Sequence, residues 1–157
     1  MLDKSLIDSI KSISDSISFD EESQIFNIEK VDEWLEISTK IKELGFDYLM
    51  CITSIDLEDG NLSLAYNLNS TASQASIEFN LIFNADTEVP SIESVWKTAD
   101  WHEREAYDMM GIKFSGHPEM KRILLPQDWE GHPLKKDYEV ADYYHGIYIP
   151  KDKTSWE

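Results

Sequence analysis

Three histidines, His102, His117 and His132, stand at equal intervals of 15 residues, and Glu103, Glu105 and Asp108 crowd around the first of them. These residue types could ligate a metal ion or share out acid and base roles in a hydrolase. Equal spacing along a chain carries no ligand geometry, however. A helical metal site needs its ligands three or four residues apart on one face, and His117 and His132 each precede a proline, which biases them toward extended backbone. Glu103 and Glu105 fall on different faces of a helix, whereas Arg104 and Asp108, four apart, make an ordinary helix pair. A free-standing hydrolase or metal enzyme using the 102–132 cluster is therefore the alternative reading. Gly116-His117-Pro118 and Gly131-His132-Pro133 are predicted as two rigid turns whose imidazoles bond backbone. Lys113, Lys121 and Arg122 lack a surrounding phosphate cradle and are predicted to pair with acids of the same chain.

These groups sit in an unusual stretch of an acidic protein. Of 157 residues, 31 are Asp or Glu and 14 are Lys or Arg, a net charge of -17, which makes nucleic acid or an anionic membrane surface a poor partner. Residues 1–99 carry 19 acids and 6 bases, while both arginines, three of the four histidines and three of the six glycines lie within 100–138. With 41% hydrophobic residues the chain should nonetheless fold around a core. The single cysteine, Cys51, excludes an intrachain disulfide and a thiolate-held iron–sulfur cluster. The opening residues show no leader pattern and no apolar run approaches bilayer length, so a cytosolic chain is expected.

The elements that position the cluster follow from periodicity. Leu2, Leu6, Ile10, Ile13 and Ile17 predict a helix over 3–18, and Val31 to Leu44 predicts a second that stops at Gly45. A short strand is predicted at 24–28. Strands are predicted at 48–55, 62–68 and 76–83, the second and third alternating apolar and polar, and the three should pair antiparallel. Pro90-Ser91 with Ile92, Val95, Trp96 and Ala99 predicts another helix, broken at Asp100. There a fresh N-cap with Glu103 three residues on starts a helix that runs to Met110 and ends at Gly111. Met109 and Met110 are assigned to the core. The apolar positions of that helix turn Glu103 inward, where it needs cations or several donors, so a cluster of Glu103, Arg104, Asp108 and Arg122 is predicted. The fold class is α+β: N-terminal helices packed on a mainly antiparallel sheet, then the Glu103-Arg104-Glu105 helix and an extended C-terminal tail.

The ordered set from residue 103 onward is specific. Glu103-Arg104-Glu105, Asp108, Gly111-Ile112-Lys113-Phe114, Gly116-His117-Pro118, Arg122-Ile123-Leu124-Leu125-Pro126, Asp128-Trp129, Gly131-His132-Pro133-Leu134 and Lys136-Asp137-Tyr138 closely resemble the signature of the 30-kilodalton, or C, subunit family of NADH:quinone oxidoreductase, respiratory complex I. The resemblance is dense over 96–138 and agrees before that only in the order of elements. It implies a non-catalytic scaffold subunit of the peripheral arm, with no cofactor in this chain and with the iron–sulfur clusters and quinone held by partner subunits. Those partners would be the large hydrogenase-like quinone-site subunit and the small iron–sulfur subunit, on the cytoplasmic face of the membrane or its organellar equivalent. NADH, ferredoxin and a reduced deazaflavin stay open as donors.

Residues 1–138 are read as one domain and 139–157 as a partner-binding tail. Tyr138, Tyr143, Tyr144 and Tyr148, with Ile147, Ile149 and Trp156, form an aromatic run without sustained periodicity, which suits a strap laid on another subunit. The expected structural or interface residues are thus Glu103, Arg104, Glu105, Asp108, His117, Arg122, His132 and those four tyrosines.

Overall fold

The structure is a computed structural model that describes residues 2–151; Trp156 lies outside the described residues. In chain order its elements are α1 (Lys4–Lys11), β1 (Ile17–Asp20), β2 (Ile25–Ile28), a single 3-10 turn at Val31–Glu33, α2 (Trp34–Glu43), β3 (Tyr48–Asp56), β4 (Asn61–Asn69), β5 (Ser76–Asn84), β6 (Glu88–Pro90), α3 (Ala99–Met110), β7 (Lys113–Ser115), β8 (Tyr143–Tyr144) and β9 (Ile147–Tyr148). Among the described residues no helix is long and apolar enough to cross a membrane.

The three predicted segments pair as expected. β4 lies between β3 and β5, antiparallel to both, and its Leu64 and Tyr66 stand opposite Leu81 and Phe79 of β5. That puts Leu62, Leu64, Tyr66 and Leu68 on one face beside Ile77, Phe79, Leu81 and Phe83, all buried. The other face carries polar pairs, with Asn67 Nδ2 donating to Glu78 across the strands. α2 covers the apolar face: the Trp34 ring centroid lies 4.7 Å from Tyr66 and 5.4 Å from Phe79. Gly45 after α2 takes φ +98°, the left-handed stop its position required.

Two pairings were not readable as patterns. The full sheet order is β1-β2-β5-β4-β3, with β2 parallel to β5 and Phe26 stacked 5.1 Å from Phe79. The helix predicted over 3–18 ends at Lys11, and Ile17 begins β1 instead. The serines between them decide this: Ser14 and Ser16 hydroxyls both donate to Glu33 Oε2, at 2.6 and 2.8 Å, which draws the chain across to the turn before α2.

The helix predicted at 91–99 is likewise a pair of turns. Ile92, Val95, Trp96 and Ala99 are buried, but the Ile92 N–H is spent on the Glu103 carboxylate and Trp96 Nε1 donates to the Phe46 carbonyl. α3 then starts at Ala99 with Thr98 at its cap, and Asp100 lies inside the first turn and is not its N-cap. β6 and β7 pair in parallel beside it, Val89 opposite Phe114, and so hold both ends of α3 in place. The predicted tail contains a separate hairpin, β8 with β9, outside the main sheet.

Phe79 is the point where β2, β5 and α2 meet with no exposed surface. Phe79→Ala should cost about 3–5 kcal/mol in urea unfolding of the free chain with the m-value unchanged, as for other ring deletions in closed cores. A loss under about 1 kcal/mol would remove that ring from the centre of the core.

Candidate functional site

α3 presents two carboxylates to the interior, Glu103 and Asp108, both without exposed surface, and the structure treats them oppositely. Asp108 is saturated with donors. Its Oδ2 accepts the backbone N–H groups of Ile123, Leu124 and Leu125 at 2.9, 2.7 and 3.0 Å, and its Oδ1 accepts Arg122 Nη1 at 2.7 Å. Burial works against its charge, but the three N–H groups and the guanidinium outweigh it and hold the carboxyl below its ordinary range.

Arg122 carries the connection further. Its Nη1 also donates to the Asp108 carbonyl at 3.2 Å and its Nη2 to the Gly131 carbonyl at 2.9 Å. His132 Nδ1 donates to the same Asp108 carbonyl at 3.0 Å, and the Leu134 N–H reaches the Met109 carbonyl at 3.0 Å. The C-terminal end of α3 thus anchors residues 122–134. Gly111 is required there twice over: it sits at φ +74°, and a Cβ on it would come within 2.7 Å of the His132 ring. Gly131 has the same limit against Tyr138, at 2.8 Å.

Glu103 is short of donors. Ser91 Oγ donates to Oε2 at 2.6 Å and the Ile92 N–H to Oε1 at 2.8 Å, and neither arginine reaches it. The predicted Arg–carboxylate cluster around Glu103 is therefore corrected. Arg122 goes to Asp108, while Arg104 lies 3.8 Å from Asp100, four residues earlier on α3, and donates to the Lys121 carbonyl at 3.3 Å. The predicted Arg104–Asp108 helix pair is replaced by Asp100–Arg104. Burial consequently pushes the Glu103 carboxyl up to about 7, against the opposing pull of Ser91 and Ile92. His117, its side chain also enclosed, faces this site with Nε2 3.3 Å from Asp100 Oδ1 and 4.0 Å from Glu103 Oε2. Its Nδ1 accepts the Glu119 N–H at 3.1 Å, so the neutral ring carries its proton on Nε2, toward the two acids.

Both Gly-His-Pro imidazoles thus bond backbone through Nδ1, one as acceptor and one as donor. Glu105 is exposed, and Lys121 pairs with Glu119 at 2.6 Å. Among the described residues no three His, Cys, Asp or Glu side chains come together as a metal site. Tyr138 packs on Gly131 and accepts Trp129 Nε1–H at 3.1 Å; Tyr144 donates to Asp128 at 3.0 Å; Tyr143 and Tyr148 are exposed and meet edge to face at 5.5 Å. Ser91, Asp100 and Asp128 were missed as site residues. Ser91, a cap-type residue after a proline, and Asp100, a cap-type residue three before Glu103, carried local signals, but both pointed to helix starts.

The family model for the 30 Kd subunit of respiratory-chain NADH dehydrogenase matches residues 27–144. The chain belongs to that family. The match begins in β2 and ends in β8, so it includes Glu103, Asp108, Arg122 and the segment they anchor. The C subunit of the NADH-quinone oxidoreductase of Chloroherpeton thalassium is 47% identical over 130 residues, covering 80% of this chain and 54% of that protein. Its counterpart in Chlorobium phaeobacteroides is 41% identical over 132 residues, covering 80% and 79%. This chain therefore spans about half the length of the first relative and about four-fifths of the second. A chain from a membrane-bound sulfane sulfur reductase, an archaeal respiratory membrane complex, shares the fold with a TM-score of 0.76 at 19% identity, covering 87% of this chain and 85% of that one.

Two measurements follow from the opposed carboxylates of this 30-kilodalton family member. The Glu103 carboxyl rises from 4.5 to about 7 on folding, so its contribution to stability is complete below the lower value and is lost as pH rises through the higher one. Wild type should therefore lose roughly 3 kcal/mol relative to Glu103→Gln between about pH 4.5 and 8, read by urea unfolding across that range. Parallel stability curves would mean that Glu103 titrates as an ordinary glutamate. Arg122→Ala should cost roughly 3 kcal/mol at neutral pH and release the amides of 123–125 to fast hydrogen exchange while β3–β5 stay protected.

Proposed function

We propose that this chain is a scaffold subunit, without a redox group of its own, of a proton-translocating, quinone-reducing complex of the NADH:quinone oxidoreductase type. In this reading it docks through residues 116–151 on the large quinone-site subunit, near the small iron–sulfur subunit, at the cytoplasmic face of the membrane. Iron–sulfur clusters and quinone belong to those partners. The donor is whatever reductant the whole assembly accepts. A single thiol, Cys51, suits such a role, because one thiolate cannot hold a cluster.

The observation that carries the proposal is the distribution of burial. Among the described residues every buried hydrophobic side chain lies at or before Phe114, so the described residues after it contribute none. That same segment exposes Leu124, Leu134, Tyr143 and Ile147 by 60% or more. Polar pins hold it instead: Asp108 with 123–125, Arg122 with Gly131, and Asp56, whose Oδ2 accepts the Lys136 N–H at 3.0 Å. A segment that is anchored by hydrogen bonds yet leaves its apolar side chains in water is shaped as one half of an interface. The carboxylates are likewise engaged in holding structure: Asp108 already accepts four hydrogen bonds from its own chain, which suits positioning better than proton transfer to a substrate.

Hydrogen exchange on the free chain and on the complex purified from native membranes tests this. Residues 138–150 should be protected only in the complex, since two-residue strands such as β8 and β9 exchange quickly alone. Equal protection in both refutes the strap. Arg122→Ala should abolish assembly and leave little of the chain in membranes; a complex that assembles normally and fails only in electron transfer would return a catalytic role to this cluster.

A further inference from the structure

Between the 128–130 turn and the β8–β9 hairpin lies a cavity of about 270 Å³ whose walls are mainly aromatic. Trp129 and Tyr144 form two of them, ring centroids 5.0 Å apart and tilted by 46°. Tyr138 forms a third and is locked by its hydroxyl, which accepts Trp129 Nε1–H at 3.1 Å. Ile149 also lines it. The charged groups at the rim are acids, Asp128 and Glu130, and among the described residues no lysine or arginine lines the cavity. Asp128 accepts Tyr144 Oη–H at 3.0 Å and His145 Nε2–H at 2.7 Å, so this carboxylate is tied to the hairpin side of the cavity.

We propose that this cavity seats an arginine side chain of a protein partner. Its volume falls below the roughly 300 Å³ at which sites for drug-sized ligands begin, and so suits one side chain. Aromatic faces attract a cation through their quadrupoles, and a planar guanidinium stacks on indole and phenol while its N–H groups reach rim carboxylates. An alkyl chain would gain from the rings but nothing from Asp128 and Glu130. An anion would meet two like charges. The charge of the chain as a whole, -17, favours a cationic partner at long range as well. The inference rests on the reading of 138–150 as an interface and names the chemistry that the interface takes.

The test uses the full free chain, observing the Trp129 indole N–H by NMR, assigned by its absence in Trp129→Phe. N-acetyl-arginine amide should shift that signal saturably. The citrulline analogue, the same shape without the charge, should bind at least roughly tenfold more weakly. Glu130→Gln should weaken the arginine response and leave the citrulline response unchanged. Equal responses to arginine and citrulline, or no response to arginine at all, overturn the proposal. A response to tetramethylammonium with none to arginine overturns it in favour of a choline headgroup. Because the probe reads the cavity alone, it can fail while hydrogen exchange in the complex still supports the strap, and the reverse also holds.

Discussion

Asp108 must stay ionised and enclosed for the segment that follows α3 to have a shape. Three consecutive backbone N–H groups, those of 123–125, point at one carboxylate oxygen and need a full negative charge there, because any uncharged replacement leaves buried donors unpaired. Arg122 completes the pairing on the other oxygen and extends it to Gly131. From that point the path is determined in steps. The Gly131 turn brings His132 onto the C-terminal carbonyls of α3, His132 excludes any side chain at position 111, and Tyr138 folds over Gly131 to meet Trp129. Each contact presupposes the previous one.

Glu103 shows what the same helix does when donors are scarce. It lies five residues before Asp108 and is as deeply enclosed, but it has one backbone N–H and one hydroxyl where Asp108 has three N–H groups and a guanidinium. Two hydrogen bonds do not offset the desolvation of a carboxylate, and four charge-assisted ones do. Asp108 therefore stays a fixed charge while Glu103 holds its proton into the neutral range, with Asp100 nearby adding to the rise. The chain has only two arginines, and assigning one to Asp108 and the other to Asp100 leaves none for Glu103.

This allocation also marks where reading the sequence succeeds and fails. Strands β3 to β5, α2 and the Gly45 stop were legible because alternation, 3.6-residue periodicity and left-handed glycine are local signals. So were the two Gly-His-Pro turns. β1 was hidden because Ile13 and Ile17 keep helical spacing, and only the distant Glu33 makes Ser14 and Ser16 worth more as donors than as helix surface. The apolar residues of 91–99 are buried as their spacing suggested, but the Ile92 N–H that a helix start would leave free is claimed by Glu103, eleven residues later. The Asp108 site was half legible. Its arginine partner is a residue type and can be guessed, whereas its three N–H donors are backbone, which every residue but proline possesses.

The division of labour along the chain has an energetic reason. The fully buried hydrophobic side chains of the described residues all lie at or before Phe114, with Met120 packed against them from the following segment. Residues 116–151 are ordered by a handful of hydrogen bonds and ion pairs, each worth only about 1 kcal/mol net unless buried and charged. Fixing the backbone of each ordered residue costs a similar amount, so those pins set the path of this segment without making it stable by a wide margin. Stability of a larger kind has to come from removing its exposed leucines, tyrosines and Ile147 from water. The open side of the domain's sheet mixes polar residues, Asn27, Asn67, Glu78 and Asn80, with the exposed Ile55 and Ile82. Under the proposed reading a surface supplied by another chain provides that burial, and a segment held on path but left uncovered is suited to meet it.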